Sequence, residues 1–196
     1  MSRYPQVRFL KSADSAAAFG DDSGAEVAFA GRSNSGKSSA LNAIMRRNDL
    51  ARTSKTPGRT QLVNLFEIEP GRRLADLPGY GFARVPPAMR AEWRRLMEAY
   101  FTHRESLAGL MIVVDTRRGF GESDRMMLEY AEARGRPVHL LLTKADKLSR
   151  NEGRTTLQKT RAALGERATA QLFSAVSGEG VDAAQGALAA LLKARA

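Results

Sequence analysis

The sequence predicts a doubly wound, three-layer α/β domain on a mostly parallel, six-stranded sheet with one antiparallel edge strand. Three observations carry this. Short apolar runs alternate with amphipathic stretches along most of the 196 residues, the order expected when helices cover both faces of a parallel sheet. The later runs, GLMIVVD at 109–115, PVHLLLT at 137–143 and TAQLFSA at 169–175, are apolar without alternation, as strands covered on both faces are. One pair of runs, LVNLFEI at 62–68 and RRLAD, is joined through Pro70-Gly71, a turn too short for a parallel crossover.

Taken in order, residues 1–23, ending in FGDDSG, read as a short N-terminal extension, and residues 24–196 as a single domain. EVAFA is the first strand, and a helix follows over 36–48. After the antiparallel pair, Pro87 suits the first turn of the clearest helix. There Met89, Trp93, Leu96, Met97, Tyr100 and Phe101 form one apolar stripe, with Arg90, Arg94 and Arg95 largely off it. Trp93 is therefore expected in the core. Further helices are predicted near 123–134, 152–164 and 180–195. His139 lies inside a strand and is expected to pack in the core; His103 has no partner in view.

Hydrophobic residues make up 43% of the chain, a folding composition. The absence of cysteine excludes disulfides, thiolate metal sites and thiol nucleophiles. No apolar run is long enough to span a bilayer, and MSRYPQVRFLKSA carries charges where a signal peptide needs an apolar block, so a cytoplasmic protein is expected. Thirty-one basic against 21 acidic side chains give a net charge of +10, which favours an anionic partner such as nucleic acid. Residues 45–104 hold 12 Lys or Arg against six acids, and so +6 of that charge. Sequence does not show whether these charges share a face.

The motifs fall at the carboxyl ends of the predicted strands, where doubly wound sheets bind ligands. GRSNSGKS follows the first strand with the spacing G-x-x-x-x-G-K-[ST] of a phosphate-binding loop. Gly31 and Gly36 let the backbone of Arg32, Ser33, Asn34 and Ser35 fold round an anion at a helix N-terminus. Lys37 would reach the outer phosphates and the Ser38 hydroxyl would ligate Mg²⁺. Asp76-Leu77-Pro78-Gly79 offers an acid for the Mg²⁺ hydration shell and a glycine N–H for a γ-phosphate. In Thr143-Lys144-Ala145-Asp146, the Asp146 carboxylate can accept from N1–H and the 2-amino group of guanine, which adenine lacks, and the Lys144 stem can lie across the base. In Ser174-Ala175-Val176, the Ala175 N–H could reach guanine O6.

The set GRSNSGKS, TPGRTQ, DLPG, TKAD and FSA resembles the nucleotide-binding motifs of translation-factor-like GTPases. More narrowly, SKTPGRTQLVNLFEI, DLPGYGFARV, VVDTRRG and TKADKL, with Trp93 and Tyr100, look like the EngB (YihA/YsxC-type) group of bacterial GTPases. The resemblance covers about residues 20–192. It implies a Ras-like G domain that binds GTP, GDP and Mg²⁺ and acts in large ribosomal subunit assembly, with a link to normal cell division and septum formation. It also implies that Gly58, Arg59, Thr60, Gln61 and Leu62 lie on the γ-phosphate side and that Thr60 joins Ser38 on Mg²⁺. Sequence physics alone does not choose Thr60 over Thr53 and Thr56.

Many G proteins carry glutamine just after the D-x-x-G glycine. Tyr80 stands there, so slow intrinsic GTP hydrolysis is expected, with Lys37, Thr60, Gly79 and Asn34 as the catalytic set. Asn34 in N-S-G-K-S is similar to the asparagine of potassium-activated GTPases; it either helps hold K⁺ or only shapes the loop. The expected partner is the large ribosomal subunit or its RNA, met by a monomer through basic residues near the switches. Alternatives are a G protein with another partner, or a phosphotransferase. TKAD and the lack of an evident acceptor lid argue against the latter, and no lipidation motif supports a membrane-associated G protein.

Overall fold

The computed structural model describes residues 4–51, 62–81 and 86–194. One seven-stranded sheet runs through it in the order β1-β3-β4-β2-β5-β6-β7, made of β1 (Arg8–Ala13), β2 (Ala25–Gly31), β3 (Val63–Glu69), β4 (Arg72–Asp76), β5 (Leu107–Asp115), β6 (Val138–Thr143) and β7 (Thr169–Leu172). The helices are α1 (Lys37–Met45), α2 (Pro87–His103), α3 (Glu122–Glu132), α4 (Arg150–Leu164) and α5 (Val181–Lys193). Strands β4, β2, β5, β6 and β7 pair in parallel, while β3 is antiparallel to both β4 and β1.

The α/β architecture is the predicted one, with one more strand. The segment read as an extension supplies β1, which covers β3, so the reversed strand lies one place in from the edge. RFLKSA is exposed at every position but Ala13 and is held by backbone pairing, so it carries no apolar signature. Two predicted ends also move. Arg46 takes a left-handed backbone (φ 52°) that stops α1 at Met45 instead of 48. The last strand stops at Leu172, which leaves Ser174–Val176 in a loop.

Alternation along the strands divides the core into two layers. Val27, Phe29, Met111, Val113 and Leu141 face Leu41 and Ile44 of α1 and Leu188 and Leu192 of α5. Ala28, Ala30, Leu110, Ile112, Val114 and Leu142 face the other layer, where Trp93, Leu96, Met97, Tyr100 and Phe101 of α2 meet Met127 and Leu128 of α3. The predicted α2 stripe is buried there, with Met89 half-buried at its end. In β5 all nine residues are buried, so the strand that ends beside the nucleotide motifs is fixed on both faces.

Candidate guanine-nucleotide site

Every described motif emerges at the carboxyl edge of the sheet. Gly31 ends β2, Asp76 ends β4, Thr143 ends β6, and Ser174 follows β7. The loop after β2 needs its glycines. A Cβ on Gly31 would lie 2.6 Å from Ser35 Oγ and 2.9 Å from the Val113 carbonyl, and Gly36 has φ 91°. Asn34 also takes a left-handed backbone, φ 62°, which asparagine tolerates.

Strand β6 braces this loop from below. The Thr143 hydroxyl lies 2.5 Å from the Ser35 carbonyl, and Lys144 Nζ donates to the Asn34 carbonyl at 2.8 Å. Within the loop, the Ser35 N–H donates to Arg32 O and the Ser33 N–H to Tyr80 O, both at 2.9 Å. Not every loop N–H therefore points inward. The N–H groups of Lys37 and Ser38 open α1 without a partner inside the helix, where its dipole favours an anion.

Lys37 Nζ is paired with the Asp76 carboxylate, and both side chains are largely buried. The loop and the D-x-x-G segment thus meet through the two groups expected to serve a phosphate and a Mg²⁺ shell. Backbone bonds complete the joint: Leu77 N–H to Phe29 O at 2.9 Å, and Tyr80 N–H to Gly31 O at 3.3 Å. A Cβ on Gly79 would lie 3.6 Å from Gly31 O and Ser33, so this glycine rests directly on the loop.

Asp146 Oδ1 accepts from the Ser174 hydroxyl at 2.6 Å, and that bond holds its carboxyl below the usual carboxylate range. An ionised acceptor at that place suits the N1–H and amino face of guanine. Ser174 is buried and its Oγ also accepts the N–H groups of Val176 and Ser177, which shapes the loop that exposes Ala175 and Val176. Gly58, Arg59, Thr60 and Gln61, with Thr53 and Thr56, lie outside the described residues; Leu62 stands just before β3.

Sequence reasoning passed over two groups. Asp115, at the end of β5, is buried and accepts from Arg117 Nε at 3.0 Å, Arg117 Nη2 at 2.7 Å and Lys144 Nζ at 2.8 Å. The Arg117 guanidinium, with Lys144, holds its carboxyl far below the usual range. An acid closing an otherwise apolar strand, level with Thr143, was the available signal. Asp124 in α3 is fully buried and accepts from the Tyr80 hydroxyl at 2.8 Å and from the Gly121 N–H at 2.9 Å. Burial raises its carboxyl above the usual range. It sits in a polar stretch, ESDR, that nothing in sequence marks as special.

A loop of the G-x-x-x-x-G-K-[ST] spacing, a D-x-x-G turn and a T-K-A-D strand end on one doubly wound sheet are the marks of a P-loop GTPase. The family described as "50S ribosome-binding GTPase" matches residues 26–144. The probable GTP-binding protein EngB of Xanthomonas campestris pv. campestris is 51% identical over 185 residues, covering 92% of this chain and 89% of that protein. Its counterpart in Stenotrophomonas maltophilia is 50% identical over 187 residues, covering 93% and 94%. This chain belongs to the EngB family of GTP-binding proteins, and it is a GTPase. Among solved structures, the fold is shared with a probable GTP-binding protein engB (TM-score 0.68, 20% identity, 87% of this chain and 100% of that one). It is also shared with Era, solved with MgGDPNP and nucleotides 1506–1542 of 16S ribosomal RNA (TM-score 0.61, 17% identity, 88% and 57%). Among the described residues no helix is long and apolar enough to cross a membrane.

Proposed function

We propose that this GTPase is a nucleotide-switched factor in large ribosomal subunit assembly, cytoplasmic and monomeric, with the link to cell division and septum formation that the EngB resemblance implies. The observation that carries the reading is the match of residues 26–144 to a family described by binding to the 50S particle. Net charge supports an RNA-rich partner less simply than composition suggests. Of the basic residues in 45–104, Arg73 and Arg104 are buried in ion pairs, while Arg47, Arg90, Arg94 and Arg95 are exposed. A contact made by such exposed arginines and by the switch segments would weaken steeply with salt.

The residues at the site suit GTP with Mg²⁺. Gly31 leaves the space a cradle needs, Lys37 and Ser38 stand at a helix start, and Asp76 is an acid beside them. A Mg²⁺ held there would supply positive charge against the phosphates. Ser38 and, by family pattern, Thr60 would ligate it directly and Asp76 through water. Lys37 would leave Asp76 for the outer phosphates, so the pair exchanges partners without leaving either charge uncompensated. Asn34 is exposed within the loop, open to a K⁺ ion. Tyr80 replaces the water-orienting glutamine, so turnover without a partner is slow.

Co-sedimentation with separated ribosomal subunits tests the reading, run with a non-hydrolysable GTP analogue and with GDP at two salt concentrations. Binding to the large subunit favoured by the analogue and lost at high salt is expected. Equal or absent binding in both nucleotide states would sink the ribosomal assignment. Hydrolysis in KCl against NaCl reads out K⁺ separately; equal rates would remove it.

A further inference from the structure

The segment after β4 is gripped from two helices. Trp93 Nε1–H of α2 donates to the Pro78 carbonyl at 3.2 Å, and the Trp93 and Tyr80 rings lie 6.1 Å apart. From α3, Asp124 takes the Tyr80 hydroxyl on one carboxylate oxygen and the Gly121 N–H on the other. Arg32 closes the cluster from the phosphate loop. Its Nε is buried without a hydrogen-bond partner among the described residues, and lies 3.2 Å from where a Gly81 Cβ would stand. Its Nη1 is 3.5 Å from the corresponding point on Gly121, an ordinary contact, so a side chain would crowd the guanidinium at Gly81 only. Between these grips stands Gly79.

We propose that Tyr80 and Asp124 are positioning residues for the GTPase reaction: their buried hydrogen bond fixes the Gly79 N–H at the γ-phosphate and ties that turn to the first turn of α3. Tyr80 then acts by anchoring and does not orient water, because the one polar atom of its side chain is held by Asp124 and is buried. The pair is well suited to this. Both partners are buried, so neither is exchanged for water without cost, and the acceptor sits on a helix whose Met127 and Leu128 are fixed in the core. The Arg32 charge lowers the cost of an ionised carboxylate there, opposing the burial that raises it. A buried bond to a charged acceptor is strong enough to hold one turn in one place, and it joins the loop that senses the third phosphate to the first turn of α3.

This inference rests on the reading that Gly79 faces the γ-phosphate, so the test separates the two. Tyr80→Phe removes the hydroxyl and keeps the ring against Trp93. Asp124→Asn keeps the shape but can no longer accept at both oxygens. Gly79→Ala has room for its methyl at 3.6 Å. For each full-length variant we would measure affinity for fluorescent GDP and for a non-hydrolysable GTP analogue, single-turnover hydrolysis, and thermal unfolding. Tyr80→Phe and Asp124→Asn are expected to weaken the analogue and slow hydrolysis about tenfold, with GDP affinity within about twofold, and the double variant to be no worse than either single one. A lower unfolding temperature with an unchanged analogue-to-GDP ratio and unchanged hydrolysis would show a purely structural bond and overturn the proposal. If Gly79→Ala leaves that ratio unchanged, the γ-phosphate reading itself falls, and the proposal with it.

Discussion

The two ends of the sheet use the same residue types in opposite ways. At the carboxyl end, Lys37 pairs with Asp76 and Lys144 with Asp115, each pair joining two strand ends where the motifs emerge. At the amino end, Glu26 is fully buried and accepts from the Tyr100 hydroxyl at 2.6 Å and from Arg104 at 3.0 and 2.8 Å, with Arg73 at 3.4 Å. Asp22 caps this knot by accepting the N–H groups of Glu105 and Ser106, each at 2.8 Å, and Asp21 reaches Arg73 at 3.2 Å. The difference teaches where the ionic groups of a doubly wound sheet serve folding and where they serve binding. A buried charge whose partners are all protein is locked; one whose partner can be exchanged for a phosphate is available.

The sharpest way to break this comparison is Glu26→Ala. It leaves two arginines and a phenol facing a space that no acceptor fills, which costs roughly 3–5 kcal/mol for a buried pair deprived of one partner. Denaturant unfolding should register a loss of that order, while the fraction that stays folded binds GDP with unchanged affinity. A large fall in nucleotide affinity at unchanged stability would mean that the two ends are not separate.

Asp115→Asn probes the other end and should act in the opposite sense. The carboxylate orients Lys144, whose ammonium also braces the Asn34 carbonyl of the phosphate loop. Halving the acceptor and removing its charge loosens both. The expected result is GDP dissociation faster by about tenfold in stopped-flow fluorescence, the scale of one charge-assisted hydrogen bond, with a smaller stability loss than Glu26→Ala. Unchanged dissociation with a large stability loss would put Asp115 in the same category as Glu26.

Much of the carboxyl end was legible because its chemistry is local in sequence. Two glycines, a lysine and a serine at fixed spacing make a loop by themselves, and TKAD needs only to end a strand. The amino end was not legible, because Glu26, Arg73, Arg104 and the Asp21-Asp22 pair are brought together from four places in the chain by the fold itself. For the same reason FGDDSG read as the end of an extension, although Arg104 donates to the Gly20 carbonyl at 3.3 Å. Strand β1 escaped because backbone pairing leaves no trace in an exposed strand's side chains. Tyr80 was visible as a departure from glutamine. Its partner in α3 was not, since only folding brings Asp124 within 2.8 Å. The excess of arginine misled in part, because Arg73 and Arg104 neutralise acids of the same chain.

The smallest expected effect concerns His139, which enters β6 at the end away from the nucleotide motifs. Its tautomer follows from its neighbours. The Gln171 amide donates to the Leu172 and Gly180 carbonyls, so its oxygen faces the imidazole at 3.0 Å and can only accept from Nε2–H. Nδ1 then accepts the Thr169 hydroxyl at 2.7 Å, and the neutral ring is fully satisfied. Burial, with the nearby Arg161 charge, pushes the imidazole below its ordinary value. Above about pH 7 both folded and unfolded chains hold a neutral ring, and the group has no effect on stability. As pH falls below the ordinary histidine value, the unfolded chain takes up a proton that the folded one refuses. Stability should therefore decline by at most about 1.4 kcal/mol per pH unit until the folded pKa is reached. Denaturant unfolding between about pH 8 and 5.5 reads this slope, and His139→Gln should flatten it. A slope that survives the substitution would assign it to other groups. A GDP affinity that follows the same slope would connect this edge of β6 to the site, against the separation of the two ends.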